Sequence, residues 1–316
     1  MINSDYKYTS IYSDIKNFIP LAGSIYIYGY STEPRSHIVD GLKSKYDSSI
    51  NFIELEMVDK DVIKDKNSNL QYSLRSSDSV NSLLKIIASK TLYIDITGLN
   101  NRVSASLLNN GIKLSRDPRN PIDVHIVYAE PESYKIHKFK TEGVFNDLSE
   151  KIDGIEPLPG FANIIPDDVD VKFIALLGFE GGRFTHLIEN IQPPTDNIIP
   201  IIGVPGYRIE YPFVAYWGNR RALKETESWA NIKYAAANSL VDIYMLLTKI
   251  LKDYPDSKIK LAPIGTKPHA IGAMLFAIKH PRNVELVYDN PKRKTVRTEG
   301  VGQIVECFVS KLLKEN

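Results

Sequence analysis

The sequence is poor in cysteine, in net charge and in long apolar runs. Cys307 is its single cysteine, so an internal disulfide and a cysteine-based zinc site are both excluded. The 39 Lys and Arg residues nearly cancel the 38 Asp and Glu residues, so no global field draws the chain to nucleic acid or membrane. No apolar run approaches the roughly 20 residues that span a bilayer, and the polar start lacks signal-peptide character. These absences predict a soluble, cytoplasmic protein without membrane contact.

Nucleotide-binding and catalytic signatures are also missing. The chain has neither GxxxxGK followed by Ser or Thr nor GxGxxG, so a triphosphate motor or a dinucleotide dehydrogenase has no support. It also lacks a GxSxG elbow and an HExxH zinc motif, and its six histidines are scattered. His37, His186 and His269 lie on predicted helices, where a lone histidine is more often structural. We therefore predict no metal and no cofactor, and the sequence identifies no catalytic residue.

What the sequence does contain is a repeat, because three blocks recur in the same order in its two halves. SIYIYGYSTEPRSHIVDGL (24–42) matches VKFIALLGFEGGRFTHLIENI (171–191), and TLYIDITGLNNRVSASLLNNG (91–111) matches KIKLAPIGTKPHAIGAMLFAI (258–278). VHIVYAEP (124–131) matches VELVYDNP (284–291). The matches pair Gly29 with Gly178, Gly98 with Gly265 and, after a one-residue gap, Arg35 with Arg183. Three ordered matches predict an internal duplication.

Each half alternates Val-, Ile- and Tyr-rich runs with helical patterns, which is typical of parallel sheets with crossover helices. One such pattern predicts a helix over 231–255 with Leu240, Ile243, Leu247 and Ile250 on its core face. We predict an α/β fold of two tandem Rossmann-like parallel-sheet units that form a pseudo-dimer. The first lobe is expected at 1–150, a Pro- and Gly-containing linker at 151–170, and the second lobe at 171–316.

Ligands of such sheets bind where strands end and helices begin, and the second half offers two turns of this kind. Glycines there allow close backbone approach to an anion, while Arg or Lys can bind a phosphate or carboxylate. The candidate residues are Gly178, Gly181, Gly182 and Arg183 in one turn and Gly265, Thr266 and Lys267 in the other. The alternative is that the glycines only permit tight turns and the cations are solvated.

The first half offers two equivalent turns, after the strands near residues 28 and 96. Their candidate ligand-binding residues are Arg35 in one turn and Thr97, Gly98, Asn101 and Arg102 in the other. Asn and Arg at a helix start suit a phosphate or a base edge, but Asn there is also an ordinary helix cap. Both interpretations stay open.

Two further stretches combine cations with aromatic residues or with each other. Residues 203–223 mix Tyr and Trp with Arg, which suits base stacking but equally an ordinary interface. Residues 290–302 contain the basic run Lys292, Arg293, Lys294 and Arg297. A solvated basic loop is the simpler interpretation of that run.

IDITG before one helix and GTKP before another resemble a pattern of the CRISPR-associated Rossmann-fold (CARF) sensors of prokaryotic antiviral systems. In that family a strand ends in a polar residue with Thr or Ser, and Gly-Gly-Thr-Lys then opens a helix. The resemblance implies that paired Rossmann units bind a cyclic oligonucleotide across their seam, and some members slowly cleave it. Here no doubled Gly precedes Thr266, the first half lacks the Lys, and no nuclease or helical effector domain is visible. Any effector is then expected to be a separate chain.

Together these patterns predict a sensor or regulatory protein of antiviral defence that binds a nucleotide or another phosphorylated small ligand, rather than an enzyme. One alternative is a phosphodiesterase-like enzyme that cleaves nucleotides in the same pocket. The other is a subunit that binds a protein or nucleic acid through residues 207–221 and takes no small ligand.

Overall fold

A computed structural model describes residues 7–85, 90–135, 149–166, 168–295 and 297–316. Over these residues the fold is mixed α/β, with eight α-helices and eighteen strands. The chain divides into two compact units, unit 1 (Met1–Lys135 and Thr295–Asn316) and unit 2 (Ile136–Lys294). Within the described ranges, no helix combines the length and the apolar character needed to cross a membrane.

The elements are numbered in chain order. The strands are β1 (Thr9–Tyr12), β2 (Ile25–Tyr28), β3 (Asn51–Asp59), β4 (Val62–Asp65), β5 (Gln71–Ser73), β6 (Thr91–Asp95), β7 (Asp123–Ala129), β8 (Ser133–Tyr134), β9 (Ser149–Ile152), β10 (Glu156–Pro157), β11 (Val171–Leu177), β12 (Ile198–Gly203), β13 (Lys233–Ala235), β14 (Lys258–Ala262), β15 (Val284–Tyr288), β16 (Pro291–Arg293), β17 (Thr298–Glu299) and β18 (Ile304–Phe308). The helices are α1 (Val39–Tyr46), α2 (Ser77–Lys85), α3 (Asn101–Ser115), α4 (Gly181–Ile191), α5 (Tyr211–Glu225), α6 (Leu240–Asp253), α7 (Lys267–Lys279) and α8 (Val309–Glu315).

Unit 1 contains an eight-stranded sheet in the order β1-β18-β7-β6-β2-β3-β4-β5. Its centre, β7-β6-β2-β3, is parallel, and the strands on either side are antiparallel. Every residue of β2 and β6 is buried, which explains why IYIY and TLYID are continuous rather than alternating patterns. Aromatic side chains of these strands, with Phe18 and Phe52, form much of its core.

Unit 2 contains a six-stranded sheet in the order β10-β15-β14-β11-β12-β13, in which only β10 is antiparallel to its neighbour. Its core is mainly aliphatic around Phe173 and Phe184. In both units the first parallel strand lies between two later ones, β2 between β3 and β6, and β11 between β12 and β14. The order in which the chain adds strands reverses beside that first strand, and the carboxyl edge there is the position at which such sheets hold ligands.

Two predicted boundaries differ from the units of the structure. Residues 295–316, assigned from the sequence to the second lobe, lie in unit 1, because β18 pairs antiparallel with β7 over Ile304–Phe308. The predicted linker 151–170 contributes β10, which pairs with β15, and its Leu158 and Phe161 are buried. These residues therefore belong to the folded part of unit 2 rather than joining two lobes.

The helix predicted over 231–255 begins later than expected. α6 starts at Leu240, because Ser239 caps it by accepting a hydrogen bond from the Asp242 backbone N–H, and 233–235 form β13 instead. The predicted core face is confirmed, since all four of its residues, Leu240, Ile243, Leu247 and Ile250, are buried.

Candidate functional site

The two predicted ligand-binding turns of unit 2 touch each other at the carboxyl edge of its sheet. A Cβ atom on Gly178 would lie 3.0 Å from the Ile264 carbonyl oxygen. A Cβ on Gly265 would lie 2.9 Å from the carbonyl oxygens of Leu176 and Leu177. Neither glycine could therefore carry a side chain without moving backbone, and the absence of side chains is what lets the turns after β11 and β14 meet. The starts of α4 and α7 are brought together as a result.

The start of α7 contains two of the predicted residues. Thr266 is the N-cap, where its Oγ1 accepts a hydrogen bond from the His269 N–H at 3.3 Å and donates one to the Ala237 carbonyl at 2.7 Å. Lys267 is the first helical residue and is partly buried, and Pro268 follows in the first turn. A lysine beside the N–H groups of a helix start is an arrangement that favours an anion.

The start of α4 has backbone that faces solvent. Its N-cap residue, Glu180, makes no side-chain capping hydrogen bond. Gly182 is exposed, and a Cβ there would have no heavy atom within 4 Å. Gly181 differs, because its Cβ would lie 1.9 Å from the Gly218 carbonyl oxygen, where α4 packs on α5. Of these two glycines, Gly182 is therefore the one that a ligand could approach.

Arg183 points into unit 2 rather than into solvent. Its Nε and Nη2 donate to the two Asp289 carboxylate oxygens at 2.7 and 2.6 Å, and its Nη1 donates to the Ile264 carbonyl at 2.9 Å. The guanidinium also lies 5.7 Å from the ring centroid of Tyr288. Burial alone would lower the pKa of Arg183, but the charge and hydrogen bonds of Asp289 outweigh this effect and hold the pKa above its usual value. Arg183 is thus a permanent cation that ties the end of β15 to the turn after β14.

His269, in the first turn of α7, is fully buried and neutral. Desolvation lowers its pKa to about 4. Its Nε2 lies 2.9 Å from the Ala236 carbonyl oxygen, and this nitrogen must carry the proton because a carbonyl can only accept. The Ala236 N–H in turn donates to the Asp242 carboxylate at 2.6 Å. These bonds join the start of α7 to the turn before α6.

Asn219 holds the α4 turn from the side of α5. It is buried, and its Nδ2 donates to the Gly178 carbonyl at 2.8 Å and to the Ala215 carbonyl at 2.7 Å. Sequence reasoning treated Asn219 as part of an aromatic and basic stretch and missed this role. It also missed Asp289, although the repeat places that acid opposite Ala129, immediately after the Tyr shared by both halves.

In unit 1 the equivalent turns are closer still. A Cβ on Gly98 would lie only 1.6 Å from the Gly29 carbonyl oxygen. Thr97 is buried, and its Oγ1 accepts a hydrogen bond from the Ala129 N–H at 2.9 Å. Arg35 is buried too, donating from Nη1 to the Ala129 carbonyl at 2.7 Å, with its guanidinium 5.2 Å from the Tyr128 ring centroid. These groups hold the end of β7 to the turns after β2 and β6.

The returning C-terminal segment adds charges around the same turn. Glu33 accepts hydrogen bonds from the backbone and hydroxyl of Thr298 and forms an ion pair with the Arg297 guanidinium at 3.0 Å. Burial alone would raise the pKa of Glu33, but the Thr298 hydrogen bond and the charges of Arg297 and Arg35 lower it below its usual value. Arg297, predicted as part of a basic run, is therefore partly buried in unit 1.

The second turn of unit 1 has its cation paired within the unit. Arg102 is buried against the Asp61 carboxylate, and Arg75 binds the other oxygen of that carboxylate at 2.5 Å. The two arginines hold the pKa of Asp61 below its usual value despite the cost of partial burial. Asn101 is the first residue of α3, and the capping side chain is that of Asn100, which accepts from the Val103 N–H at 2.9 Å.

The remaining features add no chemistry to these turns. Lys292 is exposed and lies 3.5 Å from the Glu150 carboxylate. Among the residues that the structure describes, no group of three His, Cys, Asp or Glu side chains could hold a metal ion.

No protein-family model matches the chain, and a search of curated proteins finds no match.

Proposed function

We propose that this chain is a sensor or regulatory protein of antiviral defence that binds a nucleotide or another phosphorylated small ligand at the α4 and α7 turns of unit 2. The observation that carries the proposal is the meeting of two helix starts at the reversal point of a parallel sheet, with Lys267 at one start and exposed Gly182 at the other. Backbone N–H groups and one lysine there supply a local positive potential in a chain of nearly zero net charge.

We further propose that the two units are Rossmann-like and arose by duplication. Two observations support this. The strand order β7-β6-β2-β3 of unit 1 corresponds to β15-β14-β11-β12 of unit 2. Arg35 and Arg183, paired by the repeat, lie over Tyr128 and Tyr288, which the repeat also pairs. An arginine packed on a tyrosine ring at matching positions of the two units is difficult to explain by a shared alternation of strands and helices alone.

The residues of the two units have different roles in this proposal. Lys267 and the Gly182 backbone contact the ligand phosphate, while Thr266, Gly178, Gly181, Gly265 and Arg183 hold the turns in place. Arg35, Thr97, Gly98, Asn101 and Arg102 perform the corresponding structural task in unit 1. Ligand binding is therefore assigned to unit 2.

Charge reversal at Lys267 tests the proposal. Lys267→Glu should weaken binding of AMP, ATP or a cyclic oligoadenylate by roughly tenfold or more in calorimetric titration, since an anion replaces the cation beside the phosphate. Its stability should not fall, because a carboxylate is favourable in the first turn of a helix. Lys249→Glu, the same change at an exposed position within α6, is the matched control and should bind like the parent.

Equal affinities of Lys267→Glu and the parent would contradict the assignment of the site, and a parent that binds none of the three compounds would contradict the nucleotide class. Chromatography of the same incubations tests the enzymatic alternative. New products that require Lys267 would replace a binding role by nucleotide cleavage.

A further inference from the structure

Arg35 of unit 1 is a buried cation whose Nε–H group has no hydrogen-bond partner among the residues that the structure describes. Its side chain is 3% exposed, and its Nη1 donates to the Ala129 carbonyl at 2.7 Å. Buried N–H groups are almost always paired, so each exception needs an explanation. The need is greater for an arginine, because the N–H group belongs to a charge that burial separates from water.

Arg35 stays charged in this position. Burial alone would lower its pKa, but the neighbouring Tyr128, Tyr134 and Glu33 outweigh this effect and hold the pKa above its usual value. The Glu33 carboxylate is itself paired with the Arg297 guanidinium at 3.0 Å. The Tyr128 ring lies 5.2 Å from the Arg35 guanidinium, and its hydroxyl is buried without a hydrogen bond to any described residue. A permanent cation and a hydroxyl are thus buried side by side.

The matching arginine of unit 2 shows which group fits such a guanidinium. The Nε and Nη2 of Arg183 donate to the two Asp289 oxygens at 2.7 and 2.6 Å, which is the bidentate pairing that carboxylates favour. The repeat aligns Asp289 with Ala129, since each directly follows the Tyr shared by both halves. Unit 1 therefore has the arginine and the tyrosine, but a methyl group in place of the carboxylate.

The turn that holds Arg35 lies at the protein surface. Thr32, Pro34 and His37 are exposed, although Arg35 between them is buried. Local opening of a surface turn costs less free energy than global unfolding. A ligand of a few atoms therefore has a short route to the Arg35 Nε.

We propose that unit 1 binds a small carboxylate ion, whose oxygens accept hydrogen bonds from the Nε and Nη2 of Arg35 as the Asp289 oxygens do from Arg183. The Tyr128 hydroxyl is available as a further donor. The Nη1 bond to Ala129 is unaffected, so Arg35 keeps its structural task. The nucleotide proposed for unit 2 is a different ligand at a different place, and neither site requires the other.

The surrounding charges favour a carboxylate over a phosphate. Arg35 and Arg297 are balanced here by two buried acids, Glu33 and Glu130. A single negative charge can be accommodated beside Arg35, whereas a phosphate would bring close to two charges into a buried position without excess positive charge. For the same reason we expect weak binding, with a dissociation constant roughly in the millimolar range.

Arginine side-chain NMR of the full chain tests the proposal. The chain is labelled with ¹⁵N-arginine, and the Arg35 Nε–H resonance is identified by its loss in Arg35→Lys. Sodium acetate should shift this resonance, while sodium chloride at the same concentration should leave it in place. A resonance that acetate up to about 100 mM does not move, or that chloride moves equally, would overturn the proposal.

Ala129→Asp supplies to unit 1 the carboxylate that unit 2 already has. It should shift the Arg35 resonance without added acetate and raise the acetate dissociation constant by roughly tenfold or more, because the new side chain occupies the guanidinium. Ala230→Asp, the same change at an exposed position, is the matched control and should titrate like the parent. A folded Ala129→Asp that binds acetate like the parent would contradict the site.

Amide hydrogen exchange of the parent chain decides the question if these variants do not fold. Bound acetate should slow exchange in residues 29–35 relative to chloride, because a ligand that binds only the closed turn opposes its opening. Equal exchange in the two salts would overturn the proposal.

Discussion

Removing the carboxylate of Asp289 should destabilise unit 2 because Arg183 would remain buried with only the more distant Glu180 carboxylate, at 3.7 Å, as an acidic partner. The pair is joined by two charge-assisted hydrogen bonds of 2.7 and 2.6 Å, and both side chains are almost completely buried. Each such bond contributes about 1.5–3 kcal/mol, and breaking a buried pair from one side typically costs about 3–5 kcal/mol. We therefore expect Asp289→Ala to lower the free energy of unfolding by about 3–5 kcal/mol. The cost stays in that range because Arg183 keeps its bond to the Ile264 carbonyl.

Urea unfolding monitored by tryptophan fluorescence is the appropriate assay. Trp217 and Trp229, the only tryptophans of the chain, both lie in unit 2, so their signal reports on that unit. Glu225→Ala, which breaks the exposed Arg221–Glu225 pair, is the control and should leave the transition where it is.

A second variant separates the charge from the lost packing. Arg183→Met combined with Asp289→Ala should be more stable than Asp289→Ala alone, because the double variant removes the buried guanidinium together with the acid it is hydrogen-bonded to. If Asp289→Ala unfolds within about 1 kcal/mol of the parent, Arg183 does not depend on this carboxylate, and the positioning role argued for it is refuted.

Three further predictions concern the same turns. The pKa of His269 is about 4 in the folded chain and 6.5 in the unfolded chain, so between these pH values the unfolded chain binds an extra proton. The free energy of unfolding should therefore fall by about 3 kcal/mol as the pH drops from 6.5 toward 4. His269→Gln keeps a donor for the Ala236 carbonyl and should lack that pH dependence in tryptophan-monitored unfolding. Gly182→Ala should raise the unfolding free energy by about 0.5–1 kcal/mol yet weaken nucleotide binding in calorimetry, since its methyl group covers the exposed backbone; unchanged affinity would argue against ligand contact there. Gly98→Ala should abolish folding of unit 1, because the new Cβ would lie 1.6 Å from the Gly29 carbonyl oxygen. Proteolysis that leaves residues 1–135 protected would contradict this prediction.

The repeat placed the turns correctly because it depends on local patterns. Gly29 and Gly178 each directly follow the first parallel strand of their unit, and Gly98 and Gly265 each stand three residues after β6 and β14. Apolar runs, glycines and helix starts are properties of short segments, so one sequence suffices to locate them.

Whether an arginine side chain points into the core or into solvent could not be predicted from short sequence patterns in this way. Arg183 follows two glycines and suggested an anion site, yet it stands four residues before Leu187 on the buried side of α4. That spacing was a usable signal, but Glu180 lies 3.7 Å away, and the acid that is hydrogen-bonded to Arg183, Asp289, is more than a hundred residues away in sequence. The same distance in sequence hid the return of 295–316 to unit 1, which depends on pairing between β18 and β7.

The two matched arginines differ in their hydrogen-bond partners, and this difference supports the proposal that the ligand binds in unit 2. In unit 1, Arg35 bonds to a backbone carbonyl and its acid, Glu33, comes from its own turn, where Thr298 and Arg297 of the returning segment bind it. The Glu33 carboxylate of that turn is thereby bound by the returning segment, within the unit. In unit 2 Arg183 has two acids, Asp289 after β15 and the more distant Glu180 of its own turn at 3.7 Å, and Gly182 stays exposed. The returning C-terminal segment thus binds the acid of the unit 1 turn, while Gly182 of the matching turn in unit 2 is exposed.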